Sequence, residues 1–146
     1  MSLMNVLRTR RDSNAVAFAL LVLRVVAGAA FMFHGYGKIQ QPFGWMGPDA
    51  TTPGALQALA ALAEVGGGVA WILGLLTPLA SFGLLCTMAV AVRLHALVLG
   101  DSFVASGKGQ GSWELAAVYF AIALLLLLGG PGRFSLDRAL FGERAP

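Results

Sequence analysis

The chain has one cysteine, Cys86, which excludes an intramolecular disulfide, a CxxC redox pair and an all-thiolate metal or iron–sulfur centre built by one copy. Any redox work therefore needs a bound cofactor or a partner. It has two histidines, His34 and His95, in no metal-binding spacing, so no metal site is expected, and a bis-histidine haem between helices is disfavoured for want of any supporting motif. No glycine-rich phosphate loop and no serine nucleophile elbow occurs, which disfavours nucleotide-dependent and classical hydrolase chemistry. Charge is scarce: 12% of the 146 residues are charged and 58% are hydrophobic, with a mean hydropathy of +0.77. A soluble domain carries roughly a quarter charged residues, and a soluble fold of this size has nowhere to hide so much apolar surface. The net charge of +3 comes from basic residues clustered at the two ends, which argues for membrane topology and against a nucleic-acid partner.

What fills the chain is four apolar runs. Ala15 to Phe33 is interrupted by Arg24, Ala55 to Leu76 by Gln57 and Glu64, Leu79 to Leu99 by Arg93 and His95, and Ser112 to Gly130 begins near Glu114. Each approaches the roughly 20 residues that cross a ~30 Å hydrocarbon layer, and their uniform hydrophobicity fits helices, not the alternation of barrel strands. The pattern predicts an all-α fold, a four-transmembrane-helix antiparallel bundle over 15–130, between a basic segment 1–14 and a tail 131–146. Four such spans leave no room for a separate soluble catalytic domain.

The connections refine this picture. Thr77-Pro78 leaves almost no loop between the second and third runs, so those helices form a tight hairpin. The stretch Gln40 to Gly54 is rich in turn formers, and its Phe43, Trp45 and Met46 are expected at the headgroup level. Arg8, Arg10 and Arg11 precede the first span, and Arg133, Arg138 and Arg144 follow the fourth, which places both termini in the cytoplasm. The basic start and the first apolar run imitate a signal peptide, but Arg24 in the middle of the run argues against cleavage.

Polar residues within the spans are the candidates for function. Arg24 and Glu64 each lie about ten residues into their spans, so they are expected to pair near the midplane, since an unpaired arginine there costs from roughly 3 to more than 10 kcal/mol. Arg24, Phe31 and Lys38 recur every seven residues on one helix, as Gln57, Glu64 and Trp71 do on the next, giving one polar seam. His34, Lys38, Arg93 and Glu114 are expected together at the non-cytoplasmic end, framing a pocket. Arg93 and His95 are two positions apart and cannot both face it; Arg93 is the one expected to. Each also has a plain reading: an ion pair that fixes packing, a snorkelling arginine, a carboxylate at a helix start, and glycines at 66–68 that allow close packing.

Phe33-His34-Gly35-Tyr36-Gly37-Lys38, Glu64 with Gly66-Gly67, Leu73-Gly74-Leu75-Leu76-Thr77-Pro78, Trp113-Glu114, and Gly130-Pro131-Gly132-Arg133-Phe134-Ser135-Leu136-Asp137 together resemble the DoxX family of small bacterial membrane proteins. The resemblance runs from about Leu20 to Leu140. It implies a multi-pass four-helix protein of the bacterial inner membrane, in a functionally broad family. Some relatives are subunits of quinone-linked systems such as thiosulfate:quinone oxidoreductase, and others are partners of soluble redox enzymes. Lys38, Glu64, Glu114 and Asp137 fall on the family's motif positions, and Arg24 sits where related chains also tend to carry arginine.

Three functions follow from the residues and the resemblance. The first is a quinone- or small-molecule-binding subunit associated with a redox system, with Arg24, His34, Lys38, Glu64, Arg93 and Glu114 binding the ligand. The second is a noncatalytic assembly or anchoring protein; the third, a small-solute or proton transporter that would have to oligomerise. A subunit or partner of an oxidoreductase is expected in preference to a stand-alone enzyme, in contact with lipid and with a redox partner or a second copy.

Overall fold

The computed structural model describes residues 8–9 and 13–143, so Arg10, Arg11 and Arg144 lie outside the described residues. The described residues are helical, with no strand: α1 spans Asn14–Gln40, α2 Gly54–Leu73, α3 Thr77–Arg93, α4 Glu114–Gly129 and α5 Leu136–Phe141. The last turn of α3 continues as a π-helical segment over Leu94–Val98. Three helical stretches, Asn14–Gln40, Gly54–Leu73 and Thr77–Val98, are long and apolar enough to cross a membrane. The expected four-helix bundle is thus corrected to five helices, of which α4, at 16 residues, is shorter than the other long three.

The reasons for that difference are local. Phe103 stacks edge-on against Trp113 with ring centroids 4.5 Å apart, and the Glu114 N–H donates to Phe103 O at 3.0 Å, so residues 112–113 belong to the loop. At the other end, Gly130 turns with φ 84° before Pro131 and ends α4. Ser135 then starts α5 by accepting the Arg138 N–H on its hydroxyl at 3.2 Å. The tail therefore folds back onto the bundle.

Caps and turns set the other boundaries. Ser13 accepts the Val16 N–H at 3.3 Å and opens α1, which runs past Phe33 through Gly35 and Gly37 to Gln40 and stops just before Gln41-Pro42. α2 ends at Gly74 in the left-handed conformation, φ 64°, and Pro78 occupies the first turn of α3, making the tight hairpin read from Thr77-Pro78.

The helices pack in chain order, α1 on α2, α2 on α3 and α3 on α4. Their shared core is Ala27 and Phe31 of α1, Trp71 of α2, Leu84 and Met88 of α3, and Ala123 and Leu126 of α4. Trp71 is fully buried; it meets Phe31 edge-on at 5.4 Å and donates its indole N–H to the Ser81 hydroxyl at 2.9 Å. Outside this core the helices present large apolar side chains, Phe33 at 84% exposure and Leu97 at 77%, which suits lipid and not water.

The closest approach is between α1 and α2. A Cβ placed on Gly28 would come within 2.6 Å of the Gly68 carbonyl oxygen, and one on Gly68 within 2.6 Å of the Gly28 carbonyl oxygen. Only glycine permits this backbone contact, and it fixes the register of the two helices. Gly35 correspondingly lies against Glu64 and Val65.

Candidate functional site

Two polar centres occupy opposite ends of the α1–α2 pair. Near the end of α1, the Lys38 ammonium donates to Glu64 Oε1 at 2.6 Å. The Glu64 side chain is 2% exposed and that of Lys38 is 26% exposed. Glu64 Oε2 is buried and, among the described residues, has no hydrogen-bond partner. Lys38 Nζ also lies 4.5 Å from the centre of the Trp45 ring, a cation–π contact that caps the ammonium from the loop side.

The direction of helical side chains explains the pair. Each Cα–Cβ bond tilts towards the N-terminus of its own helix. On antiparallel helices, Lys38 near the end of α1 therefore points back along α1, while Glu64 points towards the start of α2, and the two converge.

Arg24 likewise points back towards the start of α1, beside the end of α2 and away from Glu64. It is fully buried, and its guanidinium donates to the carbonyls of Trp71, at 3.3 Å, and Phe134. Asp137, also fully buried, accepts the N–H groups of Leu76 at 2.6 Å and Thr77 at 2.8 Å, while its own N–H donates to Gly74 O at 2.8 Å. The carboxylate thus caps the start of α3 and holds Leu76 in a left-handed conformation, φ 48°. A side chain at Gly74 would overlap the Arg24 guanidinium, so this turn requires glycine twice over, for its φ and for space.

The expected Arg24–Glu64 pair is therefore corrected: Glu64 pairs with Lys38, and Arg24 binds backbone carbonyls of the α2 end and the tail. Equal distance from two helix starts did not mean equal depth, because α1 is 27 residues long and α2 is 20. Gly35, against which Glu64 packs, is eleven positions beyond Arg24, about 16 Å along a helix rising 1.5 Å per residue.

The remaining expected site residues lie apart from the Lys38–Glu64 pair. His34 is exposed, with its ring edge-on to Tyr119 at 6.2 Å. Tyr119 also meets Phe31 at 4.7 Å, so aromatic rings occupy the α1–α4 seam where an opening was expected. Arg93 and Glu114 are exposed, and among the described residues no hydrogen bond or ion pair joins either to Lys38 or Glu64. His95 instead pairs through Nδ1 with Asp101 Oδ2 at 2.7 Å, fastening the π-helical turn to the loop.

The family-model comparison matches DoxX over residues 19–100, a stretch that includes Arg24, the Gly28–Gly68 contact and the Lys38–Glu64 pair. The chain belongs to the DoxX family. A DoxX chain with three helices of membrane-crossing length and this apolar exterior is a membrane protein. It is similar to an uncharacterized protein of Haemophilus influenzae, 31% identical over 126 residues that cover 85% of this chain and 92% of the relative. No solved structure matches.

The sevenfold spacing places Gln57 on the polar face with Glu64, as the structure shows. Sequence reasoning missed Trp45 as a neighbour of Lys38, because a loop residue carries no periodic signal.

The 2.6 Å Lys38–Glu64 contact predicts a zero-length crosslink. A hydrophobic carbodiimide adds to the Glu64 carboxyl, the Lys38 amine displaces the urea, and the chain loses the mass of one water. Peptide mapping should find that amide in the wild-type chain and not in Glu64→Gln. Crosslinks from Glu64 to another residue, or simple adducts alone, would contradict the pairing.

Proposed function

We propose that this DoxX chain is a membrane subunit that binds a quinone or similar small molecule at the Lys38–Glu64 pair, in association with a redox system. The observation that carries this reading is Glu64 Oε2, a buried acceptor without a partner on a carboxylate whose other oxygen is held by Lys38. Leaving such a group unsatisfied costs about 1–3 kcal/mol, so a hydroxyl or N–H donor on a ligand would gain that much by filling it.

The residues fit a quinone headgroup. Lys38 would donate to a ring carbonyl and Glu64 would accept from a ring hydroxyl, with the hydrocarbon tail against the apolar outer surface of the helices. A bound quinone supplies two-electron, two-proton carrier chemistry, and the electrons belong to a partner chain. Lys38 holds one Glu64 oxygen at 2.6 Å and leaves the other free to accept a ligand's hydrogen bond. Arg93 and Glu114 offer charged contacts to a partner at that surface.

A second reading, a noncatalytic assembly protein, has one observation in its favour: the fully buried Arg24 and Asp137 bind backbone groups of the fold, although Arg24 Nε has no partner among the described residues. Both readings share one topology. We infer four antiparallel crossings in the bacterial inner membrane over 15–130, with 1–14 and 131–146 in the cytoplasm. The Thr9 N–H donates to Gly142 O at 3.1 Å, bringing the two ends together as an even number of crossings demands. The basic residues at both ends supply the orientation, and α4, at 16 residues, crosses with local thinning of the bilayer.

Chain purified from native membranes, extracted with solvent and assayed by mass spectrometry, should carry quinone. Glu64→Gln and Lys38→Met should each lower its retention, per folded chain, by roughly tenfold or more, as expected for loss of a charge-assisted bond. Absence of quinone from the wild-type chain, or equal retention in both variants, would refute the reading.

The topology has its own test in reporter fusions after Pro146. A reporter active only when exported should stay silent there; activity would reverse the assignment.

A further inference from the structure

The loop joining α1 to α2 is folded more tightly than a connection requires. Three successive turns run through it, with the Gly44 N–H donating to Gln41 O, Gly47 to Gly44 O and Ala50 to Gly47 O at 3.0, 3.1 and 3.3 Å. Its attachment to α2 goes largely through one residue. The Trp45 indole N–H donates to Gln57 O at 3.0 Å, the Met46 N–H donates to the Gln57 side-chain oxygen at 3.0 Å, and the Gln57 amide donates to Thr52 O at 2.9 Å. Gln57 is 3% exposed, one helical turn pair from Glu64 on the same face of α2. Trp45, half-buried, lies over Lys38, and Lys38 lies over Glu64. Indole, ammonium and carboxylate are thus stacked in that order between the loop and the buried oxygen.

We propose that residues 41–53 form a hinged cover on the Glu64 site, with Gln57 as its latch and Trp45 as its positioning residue. Closed, the indole holds the Lys38 ammonium against Glu64. Open, the loop frees Lys38 and admits a flat ring whose hydroxyl reaches the unpartnered Glu64 oxygen and whose carbonyl takes the ammonium; the loop then recloses with the indole face on the ring in place of the ammonium. Stacking on that face selects a planar ring over an aliphatic ligand of equal polarity. The ligand class rests on the reading of Lys38–Glu64 as a ligand site. The cover does not, because its opening can be read without any ligand.

The physical ground is the small number of bonds that close the loop. Each net hydrogen bond is modest, so removing the Gln57 side chain's two should raise the open population by roughly tenfold or more. Hydrogen exchange on the full chain in nanodiscs reads this directly. Gln57→Leu should exchange the amides of 41–53 roughly tenfold faster while the amides of α1 to α4 keep their rates. Total carbodiimide modification of Glu64 should rise in parallel. Trp45→Phe keeps a ring over Lys38 but loses the indole bond, and should give a smaller rise of the same kind; it serves as the test if Gln57→Leu does not fold.

Unchanged exchange in both variants, exchange that rises throughout the helices, or loop opening without faster Glu64 modification would each overturn the cover. A short-chain ubiquinone should slow exchange of 41–53 in the wild-type chain more than a decanol control. If it does not, while Gln57→Leu still opens the loop and exposes Glu64, the ligand class is overturned and the cover stands.

Discussion

The contact on which the rest of the molecule depends is the crossing of α1 and α2 at Gly28 and Gly68. With no side chain on either, the two backbones meet, and a Cβ on one would lie 2.6 Å from the other's carbonyl oxygen. In a membrane, where apolar burial gives little drive to helix association, such close packing and the interhelical polar contacts it permits supply most of the attraction. A one-residue slip would bring side chains to the crossing and turn the polar stripe of α2 out of the seam. The register is therefore narrow, and every polar contact between these helices inherits it.

From that register two centres follow, with opposite character. At one end Arg24 and Asp137 bind backbone groups of the α2–α3 turn and the folded-back tail, so that the chain from Phe134 onward is tied to the bundle by buried charge. At the other, Lys38 and Glu64 bind each other and leave one buried oxygen free. The first centre ties backbone to backbone and serves the fold, with Arg24 Nε left unpartnered among the described residues. The second leaves a carboxylate oxygen free beside a loop fastened to α2 through Gln57 and Trp45.

Much of this was legible in the sequence. The all-helical class follows from the uniform apolar runs, and the sevenfold stripes Arg24–Phe31–Lys38 and Gln57–Glu64–Trp71 mark the faces that meet, because buried polar residues on a lipid-exposed helix must turn inward. What the stripes do not encode is the offset between them. That depends on the Gly28–Gly68 crossing and on the lengths of α1 and α2, and the apolar run ending at Phe33 understated α1 by seven residues. The pairing of Arg24 with Glu64 fails for this reason, and Lys38 takes its place. The tail helix was hidden because six residues carry no periodic signal, although Ser135 as a cap and Asp137 in its first turn are visible once the fold is known.

Double-mutant cycles decide whether Glu64 is coupled to Lys38 or to Arg24. Unfolding free energies in detergent for Lys38→Met, Glu64→Gln and the pair should give a coupling of about 1–3 kcal/mol, as expected of residues in contact. The cycle on Arg24→Met and Glu64→Gln should be additive to within about 0.5 kcal/mol, as for separated sites. Coupling of Glu64 to Arg24 with additivity towards Lys38 would contradict the register, and with it the site.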